Sequence, residues 1–149
     1  MRIYTSYFAN IPNLEKADIV PIGICAKVPK FFENPNLASV APSDSILWEY
    51  KKSEQTEADW EHYKERYYKE ILIAYSYNPQ LLIDRIEYIT DGKDCALVCY
   101  ETPEDRCHRH LLADFLNEKI SNLNIVEYPI YGSSKKKKDD DIPISNELF

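Results

Sequence analysis

Four short runs rich in Val, Ile, Tyr and Cys, at residues 3–8, 19–25, 95–100 and 125–128, are separated by stretches too long for tight hairpin turns. Runs of that length and composition read as strands. Two of the intervening stretches carry helical periodicity. From residue 57 to 75, Trp60, Tyr63, Tyr67, Ile71 and Ala74 recur at three- and four-residue steps, with Glu61, Lys64, Glu65 and Lys69 on the other positions. Asn78-Pro79 then reads as a cap and a first-turn proline, and Leu82, Ile86 and Ile89 form a stripe that stops at Asp91-Gly92. After the third strand, Leu111, Leu112, Phe115, Leu116 and Ile120 make the apolar side of a further helix. Strands joined through helices run parallel, and a parallel sheet is covered on both faces. The expectation is an α/β fold of three layers, a mostly parallel sheet flanked by helices in the Rossmann-like manner.

Composition agrees with that fold. The chain has 149 residues, 44% of them hydrophobic, and a domain of this size buries roughly 70% of its extended surface. It needs neither a disulfide nor a metal to have a core. Only 3 glycines are present, which argues against a turn-dense all-β architecture. The longest mostly apolar stretch, residues 19–26, falls far short of the roughly 20 residues that span a bilayer. No membrane partner is expected. Residues 29–42 carry neither periodicity and read as an ordered loop, of the kind that is often functional in a compact domain. From Gly132 the composition shifts to Gly-Ser-Ser, four lysines and three aspartates. The expected organisation is an α/β domain over residues 1–131 and a charged, disordered tail over 132–149.

Lysine and arginine number 18 against 25 aspartates and glutamates, a net charge of −7. The segment from Lys135 onward holds four of each sign, so the preceding body carries the whole imbalance, 14 against 21. Such a body is a poor general surface for nucleic acid, which leaves room only for a local basic pocket. The first residues, Met1-Arg2-Ile3-Tyr4-Thr5-Ser6, lead into no apolar h-region, and a cytoplasmic location is expected. Cys25, Cys95, Cys99 and Cys107 do not form a spaced disulfide framework, so reduced thiols are expected. Cys99, Cys107 and His108 lie close in sequence, but Cys95 and Cys99 on one strand are about 13 Å apart, too far to share an ion. Three local ligands without a C-x-x-C do not make a predicted metal site. No cofactor is expected either.

The stretch from Cys95 to Leu112 carries the most chemistry. A buried strand ends, a polar turn follows, and a helix opens with Cys107-His108-Arg109-His110. Ligands of open α/β sheets bind beyond the carboxyl ends of strands, and the free N–H groups of a helix start favour an anion. Where that helix begins decides the chemistry. With Thr102 as cap, Cys107 lies more than a turn inside; with Asp105 as cap, the register favoured here, it sits in the first turn and is eligible as a thiolate. The plainer alternatives are a buried structural cysteine and a solvated helix end.

At these residues the chain resembles the DUF488 family, small bacterial and phage proteins of unassigned activity. Its hallmark is a strand ending in Leu/Val-Cys-Tyr/Ala-Glu, a short acidic loop, then Cys-His-Arg and Leu-Ala. The matching residues are Leu97-Val98-Cys99-Tyr100-Glu101, Cys107-His108-Arg109 and Leu112-Ala113. One branch adds motifs matched in order by Ile22-Gly23-Ile24, Pro29-Lys30-Phe31, Ala41-Pro42-Ser43, Tyr50-Lys51 and Tyr63-x-x-x-Tyr67, so the likeness covers about residues 1 to 128. Where the family has an arginine after the second strand, this chain reads Cys25-Ala26-Lys27. The resemblance implies a three-layer α/β fold with a strand-end pocket lined by the Cys107-His108-Arg109 turn and the Pro29-Lys30 loop, and it supplies no reaction.

Read from the residues, that pocket binds, and in an enzymatic version processes, an anionic small molecule, a nucleotide or a nucleic-acid end. The candidate catalytic groups are Cys107, His108 and Glu101. Arg109, Lys30, Lys27 and Lys51 are the expected anion ligands, with Arg106 beside them, and Tyr4, Tyr63 and Tyr67 the expected flat walls, although tyrosines at helical spacing also serve simply as core. The alternatives are a non-catalytic recognition module and a partner-binding protein. The latter rests on the tail: Asp139-Asp140-Asp141-Ile142-Pro143 and the terminal Phe149 resemble the acidic tip of bacterial single-stranded-DNA-binding proteins, with Ile144 to Leu148 intervening. Such a tip would engage a DNA replication or repair protein.

Overall fold

The computed structural model describes residues 1–129, so the predicted tail and its boundary at residue 131 lie outside the described residues. Four parallel strands form one sheet: β1 (Ile3–Tyr7), β2 (Val20–Gly23), β3 (Cys95–Cys99) and β4 (Val126–Glu127), in the spatial order β2-β3-β1-β4. Every pairing is parallel, which sharpens the expected mostly parallel sheet. Five α-helices are present among the described residues: α1 (Ile11–Lys16), α2 (Asp44–Lys51), α3 (Glu57–Glu70), α4 (Gln80–Thr90) and α5 (His108–Lys119).

The strand order and the right-handed rule for crossovers decide which face each connection covers. The chain steps one way from β1 to β2 and the opposite way from β2 to β3 and from β3 to β4. The α1 crossover therefore covers one face, and the crossovers carrying α3 and α5 cover the other, where those two helices pack on each other. Register makes the faces explicit. Ile3, Thr5 and Tyr7 pair with Cys95, Leu97 and Cys99, and Thr5 pairs with Glu127, so these side chains share the α5 face. Tyr4, Ser6, Ala96 and Val98 share the α1 face, where Asn10 at the start of α1 donates to Ser6 Oγ at 3.0 Å. With both faces covered, all of β3 is buried.

Local chemistry sets the helix ends. Thr56 and Asp59 form a reciprocal capping box at the start of α3, and Ser43 Oγ accepts from the Ile46 N–H at the start of α2. The helix expected over 57–75 stops at Glu70 and passes into a 3-10 turn at Leu72–Tyr75. Asp91 then closes α4 in the left-handed region, with φ 57°. Helices α1 and α2 escape the periodicity argument because they are 6 and 8 residues long, too short to show a repeat. The loop at 29–42 is ordered as expected. Asn36 bonds both the N–H and the carbonyl of Cys25, at 3.2 and 2.7 Å, and bridges to Gly23, where an added Cβ would meet Asn36 Oδ1.

Leu97, at the centre of β3, is fully buried. Leu97→Ala is expected to cost about 2–5 kcal/mol, read as a lower urea midpoint with unchanged slope, whereas Tyr88→Ala, at an 84% exposed position, is expected to stay within about 0.5 kcal/mol.

Candidate functional site

Strand β3 ends at Cys99 and α5 begins at His108, with Cys107 as its extended N-cap residue. Between them Thr102 and Asp105 close a turn: Thr102 Oγ1 donates to Asp105 Oδ2 at 3.0 Å, and the Asp105 N–H donates to the Thr102 carbonyl at 3.1 Å. Neither residue caps the helix, so the start falls two residues beyond the favoured Asp105 register. Cys107 therefore stands at the positive end of the helix rather than inside it.

Around this corner lies a cavity of about 310 Å³, beyond the carboxyl ends of β2 and β3 and walled by α2 and α3. The chain after β2 supplies Cys25 and Lys27, the turn after β3 supplies Tyr100, Glu101 and Arg106, and the start of α5 supplies Cys107 and His108. Helix α2 adds Asp44, Trp48, Tyr50 and Lys51, and α3 adds Trp60 and Tyr63. Three of these rings form a continuous wall, with Trp60 stacked on Tyr63 at 4.8 Å and Tyr50 tilted against Trp60 and edge-on to Tyr63. Arg106 lies over the Trp60 ring, donates to Tyr50 Oη at 3.3 Å and pairs with Glu57 at 2.7 Å. Lys51 pairs with Glu101 at 3.1 Å across the mouth.

His108 is buried, and desolvation pulls its pKa down to about 4. Its Nε2 lies 2.6 Å from the Ile24 carbonyl, which only accepts, so Nε2 carries the proton and Nδ1 presents a lone pair 3.7 Å from Cys107 Sγ. The sulfurs of Cys99 and Cys107 are paired as a disulfide, with Cα atoms 7.8 Å apart, a departure from the four reduced thiols expected. Sequence separation hid this pairing, since the eight-residue return from β3 to α5 brings the sulfurs together. Cys25 and Cys95 remain free and buried. Burial first, then the Glu101 carboxylate, pushes the Cys25 thiol up to about 12, and burial followed by Asp94 does the same for Cys95.

Arg109 takes a different place from that expected of an anion ligand. Its side chain is fully buried beneath the corner. The guanidinium donates to both carboxylate oxygens of Glu127, at 3.1 and 3.0 Å, to the Glu101 carbonyl at 2.7 Å and to Cys99 Sγ at 3.0 Å. Its donors are directed at protein groups, and it is not among the residues lining the cavity.

The cavity therefore brings together Lys27, Lys51, Tyr63, Glu101, Cys107 and His108 from the predicted set. It does not include Lys30, which is exposed on the preceding loop. Tyr4 lies in β1 with its ring edge-on to Tyr128. Tyr67 is fully buried, donates to the Val40 carbonyl at 2.7 Å and packs edge-on to His108. Sequence reasoning missed Trp48, Tyr50, Tyr100 and Cys25 as lining residues, and assigned Trp60 to the core stripe alone. The available signal was the Tyr50-Lys51 motif itself, with Trp48 two residues before it.

Truncating Glu127 leaves the Arg109 charge buried without its partner. Glu127→Ala is expected to cost about 3 kcal/mol, and Arg109→Met combined with Glu127→Leu to recover part of that, in equilibrium unfolding. Alkylation of native, unreduced protein at pH 8 should leave Cys25 and Cys95 unmodified by mass spectrometry, because both thiols hold their protons well above that pH.

No curated protein and no solved structure matches the chain. A family model does, the one described as the active DUF488-N3 subclade, over residues 12–120. That range takes in β2, β3, the corner and every residue lining the cavity, and the chain belongs to the DUF488 family.

Proposed function

We propose that the cavity binds a phosphorylated nucleotide or nucleic-acid end, with the ring against Tyr50, Trp60 and Tyr63 and the anionic group on Lys27 and Lys51. One observation carries this reading: a wall of three packed rings faces Lys27, Lys51 and Arg106 within a single cavity at the strand ends. Stacking suits any base, and the lysines supply charge at the phosphate. Of the predicted ligand residues, Arg109 serves by holding the corner in shape, and Tyr4 and Tyr67 serve by packing.

In the enzymatic form Cys107 or His108 acts as nucleophile or base, and Glu101 orients the ligand or transfers a proton. The Cys99–Cys107 pairing favours a second reading, non-catalytic recognition, for as long as it persists, because a disulfide sulfur has no thiolate to offer. The proposed location is a reducing compartment such as the cytoplasm, where the Cys99–Cys107 pair would be held as thiols. No helix among the described residues is long and apolar enough to cross a membrane. A replication or repair partner held through the tail is a separate proposal that lies outside the described residues.

Calorimetric titration of the full chain with nucleoside mono- and diphosphates and short 5′-phosphorylated oligonucleotides tests the reading. Lys51→Ala and Lys27→Ala, both at exposed positions, are each expected to weaken binding about tenfold, equivalent to about 1.4 kcal/mol, and added salt to weaken it further. Absence of binding across the panel, or both variants binding like the parent, defeats it.

A further inference from the structure

We infer that, once the Cys99–Cys107 pair is reduced, Cys99, Cys107 and His108 hold one zinc-class divalent ion whose remaining coordination position opens on the cavity. One donor atom from each of the three residues lies within 4.8 Å of the others, and all three residues are buried. Two thiolates and an imidazole form a borderline-soft donor set that suits zinc among the common divalent ions.

The surroundings have the form of an outer coordination shell. His108 gives its Nε2 proton to the Ile24 carbonyl at 2.6 Å, which fixes the ring and leaves the Nδ1 lone pair directed toward Cys107 Sγ at 3.7 Å. Cys99 Sγ accepts from Arg109 Nη1 at 3.0 Å, a contact that orients a thiolate and offsets part of its charge. Spacing points the same way. The Cα atoms of Cys99 and Cys107 are 7.8 Å apart, whereas disulfides commonly span up to about 6.8 Å. Two sulfurs on a tetrahedral ion, each about 2.3 Å from it, stand about 3.8 Å from one another, which accommodates the longer reach. Two thiolates cancel the ion's charge, and Glu127 already balances Arg109.

Three protein ligands leave a tetrahedral ion one short. Cys107 and His108 line the cavity and Cys99 does not, so the open position faces the space where the anionic ligand is proposed to lie. An ion there would hold water or an anionic oxygen and act on it as a Lewis acid. The chemistry balances with a named reductant: a phosphine supplies two electrons and takes up the oxygen of one water to become the phosphine oxide, the S–S bond breaks, the two protons of that water complete two thiols, and ion binding then releases two protons to solvent.

The test uses the full chain, reduced with a phosphine, incubated with zinc, desalted and analysed for metal by mass spectrometry. About one ion per chain is expected. Cys99→Ser and Cys107→Ser should lose it, His108→Ala should bind at least about tenfold more weakly, and Cys95→Ala, outside the cluster, should retain it. Cobalt(II) bound to the unaltered chain should show thiolate-to-metal charge-transfer absorption, a readout that needs no variant to fold. The inference is overturned if the reduced chain retains no zinc, if cobalt gives no thiolate band, or if both serine variants, folded by circular dichroism, still hold the ion. It goes beyond the nucleotide reading and fails separately from it: nucleotide binding without metal uptake defeats only the ion site, and metal uptake without nucleotide binding defeats only the pocket reading.

Discussion

A single buried cation organises the carboxyl end of this sheet. Arg109 is fully enclosed, and a guanidinium away from water is tolerated only when charge and donors are both matched. Glu127 matches the charge through two bonds, while Glu101 and Cys99 take the remaining donor directions. The Glu127 carboxylate also accepts from Thr5 Oγ1 at 2.6 Å, and the guanidinium sits over the Tyr7 ring. One side chain on α5 therefore ties together β1, the end of β3, the following turn and β4. Strand β4 is two residues long. Its backbone pairing is correspondingly limited, and the Glu127 side chain anchors it to the neighbouring elements.

That anchoring has a consequence for the cavity on the other side of the corner. The Glu101 carbonyl is held inward by Arg109 while its carboxylate turns outward to Lys51, so one residue connects the buried ion pair to the cavity mouth. Two residues before Arg109, Cys107 caps the helix, and His108 is fixed by the Ile24 carbonyl beyond β2. The positions of both candidate reactive groups are thus consequences of where α5 docks, which Arg109 holds together with the buried Leu112, Phe115 and Leu116 of the same helix.

Much of this was legible in the sequence because periodicity reports burial directly. The Trp60–Tyr63–Tyr67 stripe and the apolar run of β3 mark a helix and a buried strand whatever surrounds them, and the Cys-His-Arg turn fell at a strand end as its setting required. Charge was less legible. An arginine beside a cysteine and a histidine reads the same whether its guanidinium faces solvent, a ligand or the core, and the partner that decides, Glu127, lies 18 residues away on a strand too short to recognise with precision. The cysteines show the same limit, because Cys99 and Cys107 meet only after the chain has turned through the whole corner. Tyr63 and Tyr67 share one helical stripe, yet only Tyr63 reaches the cavity, a distinction set by the facing element and not by spacing.

The net-acidic body and a cavity for an anionic ligand are compatible because the relevant field is local. Lining the cavity are three cations, Lys27, Lys51 and Arg106, against two carboxylates, Asp44 and Glu101. Arg106 is committed to Glu57, Tyr50 and the Trp60 face, and holds the aromatic wall in position. Lys51 is paired with Glu101 at a partly exposed site, where such a pair contributes only about 0–1 kcal/mol and is readily exchanged for a stronger anion. In the function proposed above, a phosphate entering there would take the ammonium and free the Glu101 carboxylate inside the cavity, beside Cys107 and His108. On that proposal ligand binding and the release of a base would be the same event, a role for the Lys51–Glu101 pair that does not depend on its small contribution to folding.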